Sequence, residues 1–147
     1  MKKKSFFKIC FIFLIFLQGC GYEPIYSSKN FLFKINKIDY ESNNINNQIA
    51  GSLRSLSNEN AQNSLNLVFN SKKEKKNVLK NKSGDAEIFL LEISINIIID
   101  GKQKTFTSLQ NYNNNENKFE LNQYEIEIEK QIINQIIDDI LIYLAQF

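Results

Sequence analysis

Three groups of side chains in this 147-residue chain are of types that do chemistry. Cys20 stands directly behind Gly19, where its thiol can serve as a nucleophile, half a disulfide or a point of covalent modification. Lys72, Lys73, Lys75, Lys76, Lys80 and Lys82 place six cations within eleven residues, with Glu74 the one acid among them. Glu116, Glu120, Glu125, Glu127 and Glu129 gather carboxylates, the raw material of acid–base work. The residues that are missing narrow the choice. There is no His, which excludes imidazole triads and most zinc sites. The five glycines are scattered and form no phosphate-cradling loop. No metal, no cofactor and no enzymatic activity are expected.

The surroundings of Cys20 say which thiol chemistry applies. Lys2, Lys3 and Lys4 form a positive start, and Ile9 to Leu17 form an apolar run. That run is too short to cross a hydrocarbon layer of roughly 30 Å, so it reads as a targeting peptide. Leu17-Gln18-Gly19-Cys20 resembles the bacterial lipoprotein box. The resemblance implies that the Cys20 thiol takes a diacylglycerol, that residues 1–19 are cleaved off, and that the new amine is acylated. Cys10 would leave with the leader, so the remaining chain could form no internal disulfide and would keep no cysteine nucleophile. The same resemblance implies that Gly21 after the cysteine favours the outer membrane over retention at the inner one. The leader also takes four lysines with it, turning 18 basic against 16 acidic residues into 14 against 16. A nucleic-acid partner is therefore not expected.

The elements that position these residues follow from periodicity. Residues 20–30 form a tether carrying the single Pro, Pro24, and residues 31–147 are long enough for one small domain. Phe31 to Tyr40 alternates, with a parity switch near Asn36-Lys37 that predicts a bulged strand. Ile45, Ile49, Leu53 and Leu56 make one stripe of a short helix opened by Ser42 to Asn44. Ser64 to Asn70 is a second strand, and the lysine run after it reads as a frayed hairpin or a mobile loop. Ala86 to Ile99 is the strongest strand, with Phe89, Leu91, Ile93, Ile95, Ile97 and Ile99 on one face. Asp100-Gly101 is a hairpin turn into a return strand near Gln103 to Tyr112. A long helix over about Asn122 to Ala145 carries Ile126, Ile132, Ile133, Ile136, Ile137, Ile140, Leu141 and Leu144. The expected class is α+β in the order β-α-β-β-β-α: a four-stranded antiparallel or mixed sheet with two helices on one face.

With these elements in place the chain resembles the LPS-assembly lipoprotein family, LptE, of the alphaproteobacterial type. The likeness begins at Leu17-Gln18-Gly19-Cys20-Gly21-Tyr22-Glu23-Pro24-Ile25-Tyr26 and continues through the helix from Asn47 to Leu56. It then takes in the Asp100-Gly101 hairpin, Asn111-Tyr112-Asn113, and the last helix from Glu129-Lys130-Gln131 to Leu144. The resemblance implies a non-catalytic outer-membrane lipoprotein, facing the periplasm, that plugs the β-barrel LptD and helps it insert lipopolysaccharide. Its partners would be LptD, lipopolysaccharide and, through lipidated Cys20, the membrane.

Two readings of the lysine cluster stand side by side. It can meet anionic phosphates of lipopolysaccharide or phospholipid, at about 1 kcal/mol per cation near such a surface. Or it is a solvated segment that blocks edge pairing. The carboxylates near the last helix complement its dipole, and Asp138-Asp139 form its wet side. Lys102 and Lys104 read as plain surface beside the hairpin. Tyr22, Tyr26, Tyr112 and Tyr124 suit a barrel contact, with core packing equally open to Tyr112. The competing functions are a pilot or adaptor lipoprotein of another outer-membrane machine, and a carrier with an apolar cavity between sheet and helices.

Overall fold

The computed structural model describes residues 33–147. The leader, Cys20, the tether with Tyr22 and Tyr26, and the first two residues of the expected first strand lie outside the described residues. Strand β1 (Phe33–Tyr40) leads into helix α1 (Asn44–Leu56), which returns the chain to β2 (Asn63–Lys80). β1 and β2 run parallel, as a helical crossover allows. β3 (Ala86–Ile99) and β4 (Lys102–Asn113) add antiparallel, giving the sheet order β1-β2-β3-β4, and α2 (Lys118–Leu144) closes the domain. The α+β class, the element order and the four-stranded mixed sheet are those that the periodicity predicts.

Local chemistry accounts for the boundaries. In β1 the register jumps from Ile35 opposite Leu65 to Lys37 opposite Asn66, so Asn36 is the bulged residue. Asn43 caps α1, its Oδ1 accepting from the Asn46 N–H at 2.8 Å. Asp100 (φ 46°) and Gly101 (φ 84°) both sit at positive φ, the signature of a tight hairpin turn whose twist matches its strands. Asn117 Oδ1 accepts from the N–H groups of Phe119 and Glu120. That cap starts α2 four residues earlier than the apolar stripe indicates.

The core lies on one side of the sheet. Leu91, Ile93, Ile95, Ile97 and Ile99 of β3 are fully buried beneath the helices, with Leu65, Leu67 and Phe69 beside them on β2. Ile49 and Leu53 of α1 and Ile128, Ile132, Ile133, Ile136 and Ile140 of α2 cover them. Burying each such side chain contributes about 1.5–3 kcal/mol. Ile126 is a correction: it is 53% exposed and takes no part in the stripe. On the opposite side Ser94, Asn96 and Ile98 of β3 and Thr107 and Leu109 of β4 are partly or fully open, and no described helix covers them.

Candidate functional site

The lysine run is a strand, not a loop. β2 continues through it for 18 residues in all, and β3 pairs with it from Leu67 opposite Ile99 to Lys80 opposite Ala86. A strand alternates faces, and that alternation divides the cluster. Lys73 and Lys75 share the parity of Leu65, Leu67 and Phe69, so they point to the helix side. Lys72, Glu74 and Lys76 point to the open side. Lys82 stands in the turn at 81–85, where Asn81 Oδ1 accepts from the N–H groups of Ser83 and Asp85.

On the helix side, α2 answers the lysines with carboxylates one turn apart. Lys73 Nζ lies 2.5 Å from Glu129 Oε2 and 4.0 Å from Glu125, and Lys75 Nζ lies 2.6 Å from Glu125 Oε2. The Lys75 ammonium also sits over the Phe89 ring at 4.3 Å and the Tyr112 ring at 5.5 Å. Tyr112 packs against both Phe89 and Tyr124. Its hydroxyl is buried beside Lys75 and Glu125 without a well-formed hydrogen bond to either. Burial resists the charge on Lys75, yet Glu125 and Tyr112 outweigh it and hold the ammonium pKa above its ordinary value. Burial likewise pushes Glu125 up, but Lys75, Tyr112 and Lys73 together bring its pKa below the usual carboxylate value.

On the open side Glu74 stands directly opposite Glu92, an arrangement that repels by itself. Lys76 resolves it, reaching Glu74 and Glu92 at 2.9 Å each, and Lys72 pairs with Glu74 from the other side. The two lysines hold the Glu74 carboxyl down at about 2. Four of the six lysines are thus neutralised within the domain, two on each face. Lys80 and Lys82 make no ion pair among the described residues. The cluster is two neutral networks followed by two lysines that stand around the same turn as Asp85 and Glu87.

These networks set a direction for stability against pH. Glu74 and Glu125 have folded pKa values below their unfolded ones, so their contribution is present above about pH 4.5 and is lost as pH falls through the folded values. The melting temperature is expected to drop as pH is lowered from 5 to 3. Glu125→Gln should flatten that drop while lowering the melting temperature at pH 7; an unchanged acid limb would mean that the ion pairs do not form.

No protein-family model matches this chain, and no curated protein matches it. Solved structures do. The rare lipoprotein B from Shewanella oneidensis superposes with a TM-score of 0.56 at 15% identity, over 76% of this chain and 95% of that one. A lipoprotein from Caulobacter crescentus gives 0.58 at 10% identity, over 80% and 92%. The minor lipoprotein from Acinetobacter baumannii gives 0.56 at 15%, over 77% and 92%. The chain has the fold of these bacterial lipoproteins.

Within this lipoprotein fold the remaining candidates find plain places. Tyr112 is buried at 3% exposure and belongs to the core, while Tyr124 stays half-open beside it. Glu125 and Glu129 are partners of Lys73 and Lys75 rather than dipole caps; Glu120, bonded to Asn117 Nδ2 at 2.9 Å, does sit in the first turn of α2. Lys102 and Lys104 lie over the rings of Phe147 and Tyr143. A surface cleft of about 530 Å³ is bordered by Asn81, Asp85, Glu87, Asn114, Glu116 and Lys118. Among the described residues no helix is long and apolar enough to cross a membrane. The Lys–Glu pairing between β2 and α2 was missed from the sequence. Its signal was there: lysines at 73 and 75 on the buried parity, and glutamates at 125 and 129 on one helix face.

Proposed function

We propose that this chain is a non-catalytic outer-membrane lipoprotein, the plug and assembly partner of the barrel LptD in lipopolysaccharide insertion. The observation that carries the reading is the fold: a four-stranded sheet with both helices on one face, shared over three quarters of the chain with lipoproteins of several bacteria. The Leu17-Gln18-Gly19-Cys20 box supports it by supplying an anchor. The surface supports it too. Neutralised lysines and short polar groups such as Ser94, Asn96, Thr105 and Thr107 cost less to desolvate against a barrel wall than free charges would. Of the lysine cluster, Lys80 and Lys82 are left without an ion pair among the described residues and are free to meet an anionic phosphate.

Affinity purification of the full chain from Gram-negative membranes in mild detergent tests this. A large β-barrel should co-elute, and depletion of the chain should reduce lipopolysaccharide at the cell surface. Recovery with no barrel overturns the reading, and loss of a secreted product in place of surface lipopolysaccharide assigns the chain to a pilot role instead.

A further inference from the structure

The sheet has three stretches of open edge among the described residues, and two of them are guarded. β1 carries the Asn36 bulge and the charges of Lys34, Lys37 and Asp39. β2 has no β1 partner beyond Phe69, and there it presents Lys72, Lys73, Glu74, Lys75, Lys76 and Lys80, with a register break at Asn77 to Leu79. Bulges and lysines are the devices that keep strand edges from pairing. β4 has neither. Its register with β3 runs unbroken, and Thr105 to Asn113 is nine residues without a charge or a proline. Every second residue of that strand turns its N–H and C=O away from β3.

The helix above that edge is uncharged along a matching line. Gln135 marks the flank of α2 that overhangs β4, because it accepts a hydrogen bond from Ser108 at 2.9 Å. Tyr124, Gln131, Gln135 and Ile142 recur at i, i+7, i+11 and i+18, which is a single stripe along a helix. All four are exposed, Tyr124 at 47% and Ile142 at 62%. The stripe is symmetric about residue 133, with an aromatic or aliphatic end on each side and an amide pair in the middle.

We propose that β4 pairs antiparallel with β4 of a second copy about a two-fold axis at Ser108, forming a continuous eight-stranded sheet. The axis sets Thr105 opposite Asn111, and Thr107 opposite Leu109, of the other copy. It sets Lys104 opposite Tyr112 rather than opposite another lysine. The same axis brings the two α2 stripes together, Tyr124 against Ile142 and Gln131 against Gln135. With α2 lying over β3 and β4, a strand spacing of about 4.8 Å places the two helix axes about 10 Å apart, the distance at which helices pack. An axis at Ser108 thus suits strand and helix alike, and the self-complementary stripe of α2 favours a second copy over an unrelated strand.

Charge reversal at the seam tests this in the full chain. Thr105 and Asn111 sit on the open face opposite Asn96 and Leu90 of β3; the charge diagonal to Asn111, Glu92, is already held by Lys76. Two differently tagged copies, co-expressed and extracted in mild detergent, should co-purify. A Thr105→Lys, Asn111→Lys double variant should weaken self-association by up to about fivefold for each of the two like-charged pairs it creates. Thr105→Glu, Asn111→Glu should do the same, and mixing the Lys and Glu variants should restore the pair. Circular dichroism melts confirm that each variant folds. Wild-type copies that do not co-purify overturn the proposal. So do charged variants that still self-associate, a loss that opposite charges fail to restore, or another protein bound at β4 in place of the second copy.

Discussion

Replacing Ile95 with alanine is expected to cost about 2–5 kcal/mol of unfolding free energy. For a domain of this size that corresponds to a fall in melting temperature on the order of 10 °C. Ile95 sits at the middle of β3, fully buried, paired to Ser71 on one side and Phe106 on the other. It has strands on both flanks and helices above, so nothing nearby can collapse into the space left by the missing methyl and methylene groups. The cavity term then adds in full to the lost transfer energy. Ser94→Ala, one residue away on the open face, removes an exposed hydrogen bond of 2.9 Å to Thr107 and should cost under about 1 kcal/mol. Urea melts of the two variants separate the faces. Equal losses would mean that the open face is as tightly covered as the helix side.

Cys20→Ser is expected to abolish incorporation of labelled palmitate and to leave the chain at its precursor mass, with residues 1–19 still attached. Each buried methylene contributes about 0.8 kcal/mol to partitioning, so one acyl chain holds marginally while two or three hold for good. In a chain processed as a lipoprotein, removing the thiol would remove the attachment that cleavage and amine acylation would follow. The domain itself should melt unchanged, since its described core runs from Phe33 onward. Palmitate retained by the variant, or wild-type protein found free with an unmodified thiol, would sink the lipoprotein reading and the anchor with it.

Much of the architecture was legible because its signals are local. The alternation of Ala86 to Ile99 set both ends of β3, and Asp100-Gly101 set the turn after it. The parity switch at Asn36 is visible in eight residues. The second half of β2 was not legible by the same means. Apolar alternation stops at Phe69, and a run of lysines carries no hydrophobic period to continue it. What keeps Ser71 to Lys80 extended is non-local: a 14-residue β3 on one side and the carboxylates of α2 fifty or more residues away. Sequence reasoning therefore located the cations but not their partners, and without partners the cluster looked like one basic patch.

The division of those lysines has a consequence for how the gene can drift. A stretch such as Ser71-Lys72-Lys73-Glu74-Lys75-Lys76 looks like filler whose length is free to vary. Inserting or deleting a single codon after Asn70 would turn every following side chain to the other side of the sheet. Glu74 would then be aimed at Glu125 and Glu129, and Lys73 and Lys75 would be stranded away from them. Length changes in this tract are tolerable only in twos, or when paid back before the turn at residue 81.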